Sequence, residues 1–301
     1  MQEETSRGTY FLSVAANSTI TKLIRAIIPR SWRNALRRPR VTAARVRAKV
    51  EFRLGKSSIL SIRPEWRVRC HPICVPDFGV FQADPAQHAE LNDFVAHCRP
   101  GMRLLDVGAH WGIFTLAALR YGGSDVRAVC VEPSSDAARV LRRNLSLNGV
   151  AEQVNVVEFA AGSAPGHLQM LTTGAGGADY LVVPPEDRPD SITVPQTDVT
   201  SLCRSLGFVP THVKMDIEGF EEEGLIGARE LLQRCRPVLF LELHGDLIRR
   251  RGRDPRTVLR ILRETGYVTW KRAATLMGEH DLENEDFNAR FICLPDMKAV
   301  A

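Results

Sequence analysis

The sequence predicts an α/β fold: a Rossmann-like, mostly parallel sheet of seven strands with helices on both faces, preceded by an N-terminal extension. Three observations carry that expectation. Short apolar runs alternate with helical patterns of roughly 10–15 residues from residue 103 onward. A glycine-rich turn joins the first run to the first helix, and an acidic residue, Glu132, closes the second run.

Residues 1–59 read as a basic, partly helical extension. The first 20 residues carry little periodic pattern, after which Ile20, Leu23, Ile24, Ile27 and Ile28 fall on one helical stripe that Pro29 ends. Twelve basic residues between positions 22 and 56 are opposed only by Glu51, a local net charge of +11. The whole chain carries +5, so the remainder carries −6. A catalytic domain built around nucleic acid should own a basic face, so no nucleic-acid partner is expected. The basic arm reads first as a helix packed on the catalytic domain with its arginines solvated. The second reading is an interfacial helix that lets residues 20–56 touch an anionic membrane from the periphery.

Residues 60–301 read as the catalytic domain, with 60–100 as N-terminal strands and a helix and 101–301 as the Rossmann-like core. Short strand-like pieces broken by Pro72, Pro76 and Pro85 are expected first, then a helix over 87–98 that stops before Pro100-Gly101. Strands follow at 103–107, 126–131, 154–159, 213–217, 238–243, 267–270 and 290–294. Helices are expected at 113–121, 134–148, 221–235 and 254–265. The glycine- and proline-rich stretch 172–191 reads as a loop or lid, with 174–187 placed to close over an acceptor.

Seven cysteines, an odd number, form no disulfide framework; Cys130 and Cys235 lie in or beside apolar runs, where a small hydrophobe packs. Cys70-His71 and Cys74 resemble half of a metal site, but no second CxxC or HxxxH completes it. The start of the chain is acidic at Glu3 and Glu4 and has no long apolar run, so neither a secretory signal nor a membrane span is expected. A reducing, cytoplasmic setting follows, with the inner membrane surface as the place for a peripheral contact.

The strongest chemical signal is Leu104-Leu105-Asp106-Val107-Gly108-Ala109-His110-Trp111-Gly112. In such folds the ligand sits beyond the carboxyl ends of the strands, where strand order reverses. Gly108 allows a tight turn close to the ligand, and Gly112 lets the helix pack on the strand. A dinucleotide fingerprint needs a second glycine two positions after the first, to admit a pyrophosphate; His110 stands there instead. Glu132, followed by Pro133, lies where a carboxylate accepts hydrogen bonds from the ribose hydroxyls of an adenosine.

Further along, Asp216 and Glu218 end the fourth strand, and Glu242 and His244 end the fifth. A period of two puts each pair on one face, and adjacent parallel strands bring the pairs together. Such a group can bind hydroxyls, act as a general base or hold a divalent cation, and the residues leave base and metal equally open. The structural alternative is that Lys214 and Asp216 pair with each other while His244 caps a loop.

These residues resemble the FkbM-type family of class I S-adenosylmethionine-dependent methyltransferases, from about Val75 to Gly266. The resemblance is carried by the glycine turn, by Val131-Glu132-Pro133, by Asn144 and Asn148, and by Gln196-Thr197-Asp198. Lys214-Met215-Asp216-Ile217-Glu218-Gly219-Phe220-Glu221, its most specific element, and Leu241-Glu242-Leu243-His244 complete it. His110 and Trp111 depart from the commonest turn, which has Asn and an aliphatic residue, a change expected to alter the cofactor pocket only slightly. The resemblance implies the class I methyltransferase fold and S-adenosyl-L-methionine as cofactor, held by Asp106, Gly108, Ala109, His110, Gly112, Glu132 and Ala160. It further implies O-methylation of a small-molecule or glycan hydroxyl. The placement of the residues at the strand ends, and not the resemblance, makes Asp216, His244 and Lys214 the catalytic candidates and Asp216, Glu218 and Glu242 the candidate ligands of a divalent cation. A nicotinamide-dependent oxidoreductase and a non-catalytic or membrane-associated module with the same fold are the competing classes.

Overall fold

The computed structural model describes residues 39–171, 191–272, 275–277 and 288–296. The stripe at 20–28 and residues 172–190 of the expected lid at 172–191 lie outside them, and Ser191 opens a strand. The chain runs through α1 (Pro39–Arg53), the hairpin β1 (Ser58–Arg63) and β2 (Trp66–Cys70), α2 (Cys74–Ala83) and α3 (Pro85–His97). The core follows as β3 (Arg103–Val107), α4 (Ile113–Gly122), β4 (Arg127–Val131), α5 (Ser135–Leu147) and β5 (Val154–Val157). Next come β6 (Ala160–Ala161), β7 (Gly166–Leu171), β8 (Ser191–Thr197), α6 (Val199–Ser205), β9 (His212–Met215), α7 (Glu221–Cys235) and β10 (Val238–His244). The described elements end with α8 (Gly245–Arg250), α9 (Arg256–Glu264), β11 (Tyr267–Arg272), β12 (Thr275–Met277) and β13 (Asn288–Pro295).

The main sheet has the order β12-β11-β13-β10-β9-β3-β4-β5. Its seven principal strands are those expected from the sequence; β12, a three-residue edge strand, is the addition. From β10 to β5 all neighbours are parallel, whereas β13 inserts antiparallel between β10 and β11. The chain winds outward from β3 through β4 to β5, then returns to β9 on the other side. The strand order therefore reverses between β3 and β9, where α/β sheets bind their ligands. This is a Rossmann-like, mostly parallel α/β architecture.

Period-two alternation sends side chains to two cores. Leu105, Val129, Met215 and Leu241 pack against α6, α7 and α9. Leu104, Cys130 and Phe240 pack on the other face, against α2 to α5. Beside the main sheet, β6, β8 and β7 form a three-stranded sheet, which the sequence reading did not separate.

The region around Pro72, Pro76 and Pro85 is helical, not a set of broken strands. Pro76 stands in the first turn of α2 and Pro85 opens α3, positions where the missing N–H costs nothing. Asp84 caps α3 by accepting the Ala86 N–H at 2.9 Å. The hairpin ahead of these helices is stapled to α5 by two asparagines. Asn148 offers its amide to both the N–H and the carbonyl of Arg69, at 3.2 and 2.7 Å. Buried Asn144 accepts from the His71 N–H at 2.8 Å and donates to the Trp111 carbonyl at 2.9 Å, so hairpin and glycine turn share one side chain.

All seven cysteines are free. Cys70 and Cys74 are buried, His71 accepts the Ile73 N–H on its Nδ1 at 3.0 Å, and among the described residues these groups assemble no metal site. No described helix is long and apolar enough to cross a membrane.

Gly108 has φ +83°, and a Cβ built on it would lie 1.8 Å from the Asp216 carbonyl oxygen. Its need for glycine is therefore set by the neighbouring strand end, not by a ligand. Gly112 (φ +89°) likewise makes room for Leu141 of α5, whose Cδ1 would be 2.4 Å from a Cβ. Gly108→Ala should destabilise the fold by about 2–5 kcal/mol, from left-handed strain plus overpacking. Gly55→Ala, at φ +76° with open space around it, should cost only about 1 kcal/mol. Urea unfolding of both variants checks this, and equal losses would reject the packing argument.

Candidate functional site

A cavity opens at the strand-order reversal, walled by the turns after β3, β4 and β9 and by β6 and β7. Each turn is held by the next strand's edge. The N–H groups of Gly108 and Ala109 both donate to the Val131 carbonyl, at 2.9 and 3.2 Å, and the Asp216 N–H donates to Val107 at 3.0 Å. His110 takes a left-handed φ of +49°, which aims its N–H at Glu132.

Glu132 is the buried carboxylate of this cavity. Oε2 accepts from the His110 N–H and Oε1 from the Ser134 N–H, both at 2.9 Å. Burial pushes its pKa up to about 7, against the pull of those two donors. Each oxygen accepts one backbone donor and retains capacity for another, because an ionised carboxylate has about four acceptor positions. The His110 ring, also on the cavity wall, is driven down to about 4 by burial and is neutral.

The predicted cofactor residues separate into two groups. Gly108, His110, Glu132 and Ala160 line the cavity. Asp106, Ala109 and Gly112 do not. Asp106 turns inward, where its Oδ2 accepts from Thr115 of α4 at 2.6 Å and burial raises it to about 6. It ties β3 to α4.

On the opposite side of the cavity lies a charged cluster around Lys214, which is 1% exposed. Its closest partner is Glu90 of α3 at 2.9 Å; Asp216 and Glu242 each stand at 3.7 Å, and the Phe114 ring lies 4.8 Å from Nζ. Burial pulls the lysine's pKa down, but the three carboxylates outweigh it and hold the group above its usual range. The expected Lys214–Asp216 pair is thus the longer contact in a larger network. Glu90 and Arg290 belong to that network and were not picked out from the sequence. Arg290 reaches Glu242 at 2.5 Å and Glu90 at 3.1 Å. The signal for Glu90 was present: it is a carboxylate on the apolar face of α3, beside Leu91 and Phe94.

The strand argument for Asp216 and Glu218 needs correction. β9 ends at Met215, and both residues lie in the turn that follows, with Glu218 at φ +53° and Gly219 at +90°. That turn, not a pleat, swings the two carboxylates to the same side. His244 Nε2 faces Glu218 at 3.6 Å, Glu242 at 3.7 Å and Asp216 at 4.0 Å. Its Nδ1 lies 2.9 Å from Glu221 Oε1, whose side chain is wholly buried. Burial opposes a charge on His244, but Glu221 and the surrounding carboxylates raise it to about 10. The ring is an imidazolium at neutral pH, so as it stands it is no general base. Asp216, partly exposed on the cavity wall, is pushed upward by desolvation and by Glu242. Glu242 is committed to Arg290 and Lys214. Among the described residues, the donor atoms that lie within 4.8 Å of one another are those of Asp216, Glu218 and His244; Glu242, expected beside Asp216 and Glu218, is not in that group.

A family model described as the Methyltransferase FkbM domain matches residues 106–269. Among solved structures, a methyltransferase FkbM from Methylobacillus flagellatus is 17% identical with a TM-score of 0.44. That match covers 73% of this chain and 59% of the other, so the chain spans about three-fifths of its length. A precorrin-6y C5,15-methyltransferase from Geobacter metallireducens is 17% identical with a TM-score of 0.38, covering 67% of this chain and 84% of that one. No curated protein matches the sequence.

Lys214→Met strands Glu90, Asp216 and Glu242 without their shared cation, and should cost about 3–5 kcal/mol in urea unfolding. Adding Glu90→Gln should recover part of that loss. A cost below about 1 kcal/mol for Lys214→Met would show the cluster is not held by its charge.

Proposed function

The chain belongs to the FkbM methyltransferase family, and from that premise we propose that it transfers a methyl group from S-adenosyl-L-methionine to a hydroxyl oxygen of a small molecule or glycan. The observation that carries this reading is Glu132, a buried carboxylate with both oxygens positioned by backbone donors at the switch-point cavity. That donor set fits the two ribose hydroxyls of an adenosine. The His110 ring in the cavity wall favours a ligand without a pyrophosphate, and the Asp216 and Glu218 carboxylates complement a cationic sulfur.

When bound, the cofactor supplies an electrophilic methyl on a sulfur that leaves with the C–S electron pair, so the protein is not asked to activate a leaving group. What remains for this chain is alignment and one proton. Glu132 and the Gly108–His110 turn fix one partner, and alignment is worth ~7–11 kcal/mol of such a barrier. Asp216, at the junction of the cavity and the charged cluster, accepts the hydroxyl proton as the C–O bond forms. Lys214 is a positioning residue: it is buried outside the cavity lining and acts by holding Asp216 and Glu242 in place.

Calorimetry with S-adenosylhomocysteine, using NAD as the control ligand, tests the class. Saturable binding of the first alone is expected; binding of neither would point to a non-catalytic module, and NAD alone to an oxidoreductase. Glu132→Gln should weaken S-adenosylhomocysteine by about 10- to 100-fold, the worth of charge-assisted hydrogen bonds. The ionised form of Glu132 is the one that accepts from both hydroxyls. Wild-type affinity should therefore rise with pH up to about 7, falling roughly tenfold per unit below it, and level off above. A flat wild-type profile would remove Glu132 from the ribose. Asp216→Asn should keep S-adenosylhomocysteine within about threefold while turnover drops at least ~100-fold, the usual worth of a general base. Normal turnover would take Asp216 out of the mechanism.

A further inference from the structure

We propose that Asp216, Glu218 and His244 bind one divalent transition-metal ion of the manganese or zinc type, which holds the hydroxyl of the acceptor. Among the described residues these three form the one cluster whose donor atoms all lie within 4.8 Å of each other. The separations of His244 Nε2 from Glu218 Oε2 and Asp216 Oδ1, 3.6 and 4.0 Å, are too long for hydrogen bonds. They suit donors arranged around one ion, since two bonds of ~2.1 Å put their ends roughly 3.0–4.2 Å apart according to the angle between them.

A separate observation concerns Glu221. Its side chain is 0% exposed, and its Oε1 holds both His244 Nδ1 at 2.9 Å and the Gly219 N–H at 3.0 Å. Its Oε2 is buried without a hydrogen-bond partner. A carboxylate behind the far nitrogen is how proteins fix the tautomer of a metal-binding histidine and turn its other nitrogen outward. With Nδ1 held by Glu221, Nε2 faces Asp216 and Glu218, and an ion bound there would take the place of the Nε2 proton.

Two carboxylates and an imidazole form a mixed donor set that suits manganese or zinc better than magnesium or calcium, whose sites are all oxygen.

The proposal rests on the methyltransferase reading for its purpose. An ion there would polarise the acceptor's O–H, while the Asp216 carboxylate oxygen not bound to the ion would still accept the proton as the C–O bond forms. Since Asp216→Asn loses turnover in either case, the test reads the metal itself. Titration of the full-length, chelator-treated protein with Mn2+, followed by electron paramagnetic resonance, should show one bound ion per chain. Spin-echo modulation should show coupling to one directly ligated nitrogen. Glu218→Gln, a change at a partly exposed side chain, should weaken Mn2+ at least tenfold, and His244→Ala should abolish the nitrogen coupling, with circular dichroism confirming the fold. No binding up to about 1 mM Mn2+, or binding with neither nitrogen coupling nor a Glu218→Gln effect, overturns the site. S-adenosylhomocysteine binding is measured on the same samples. Its persistence without Mn2+ binding defeats only the metal site, and the reverse pattern defeats only the methyltransferase reading.

Discussion

A single positive charge sealed inside the protein sets the conditions for everything around the cavity. Lys214 lies in the middle of the sheet, flanked in register by Asp106 of β3 and Phe240 of β10, with its side chain closed off from bulk solvent. An isolated buried ammonium would lose its proton or unfold its surroundings. This one keeps its charge because three elements each bring a carboxylate to it: α3 through Glu90, the turn after β9 through Asp216, and β10 through Glu242. Those contacts fix where α3 sits on the sheet and which way the β9 turn faces. Arg290, arriving on antiparallel β13, then bridges Glu90 and Glu242 and closes the network.

A steric constraint of equal consequence runs beside it. The Asp216 carbonyl fills the space a side chain at position 108 would occupy, while the Asp216 N–H extends the β3–β9 ladder by one rung. The two turns that wall the cavity are therefore locked together through backbone atoms. The glycine turn cannot shift without moving Asp216, and Asp216 cannot shift without disturbing Lys214. Asn144 extends the same coupling to the hairpin, because its amide holds Trp111 of the turn and His71 after β2 at once.

Much of this was legible in the sequence, for a physical reason that also marks where legibility stops. The core strands and helices announce themselves by period, and α7 and β3 fall where the pattern ends. The glycine turn and Glu132 are local in sequence, so their place at the cavity can be read from spacing. The proline-bearing segment misled because a proline in the first turn of a helix looks the same, by composition, as one that breaks a strand. Glu218 and Asp216 were brought to the right neighbourhood by the wrong geometry; a left-handed residue before Gly219 does what strand alternation was expected to do. The partners of Lys214 were missed because Glu90, Lys214 and Arg290 are far apart in the chain, and no local pattern records a three-way ion pair. Asp106 was taken for a ligand contact because it sits in the motif, yet its partner Thr115 is nine residues on, in the helix behind it.

The network also explains why the acidic cluster can exist. Packing carboxylates beside one another raises the energy of each, and a fold tolerates this only where a fixed cation or a bound one compensates. Lys214 and Arg290 compensate on the buried side, where Glu90 and Glu242 are nearly sealed from solvent. On the cavity side, Asp216 and Glu218 face His244, whose affinity for a proton is raised by that surplus of negative charge. The same polypeptide thus uses two permanent cations on the buried side and a histidine on the cavity side to hold its carboxylates together. Hydrophobic packing alone would give the sheet no reason to gather so many carboxylates at one point.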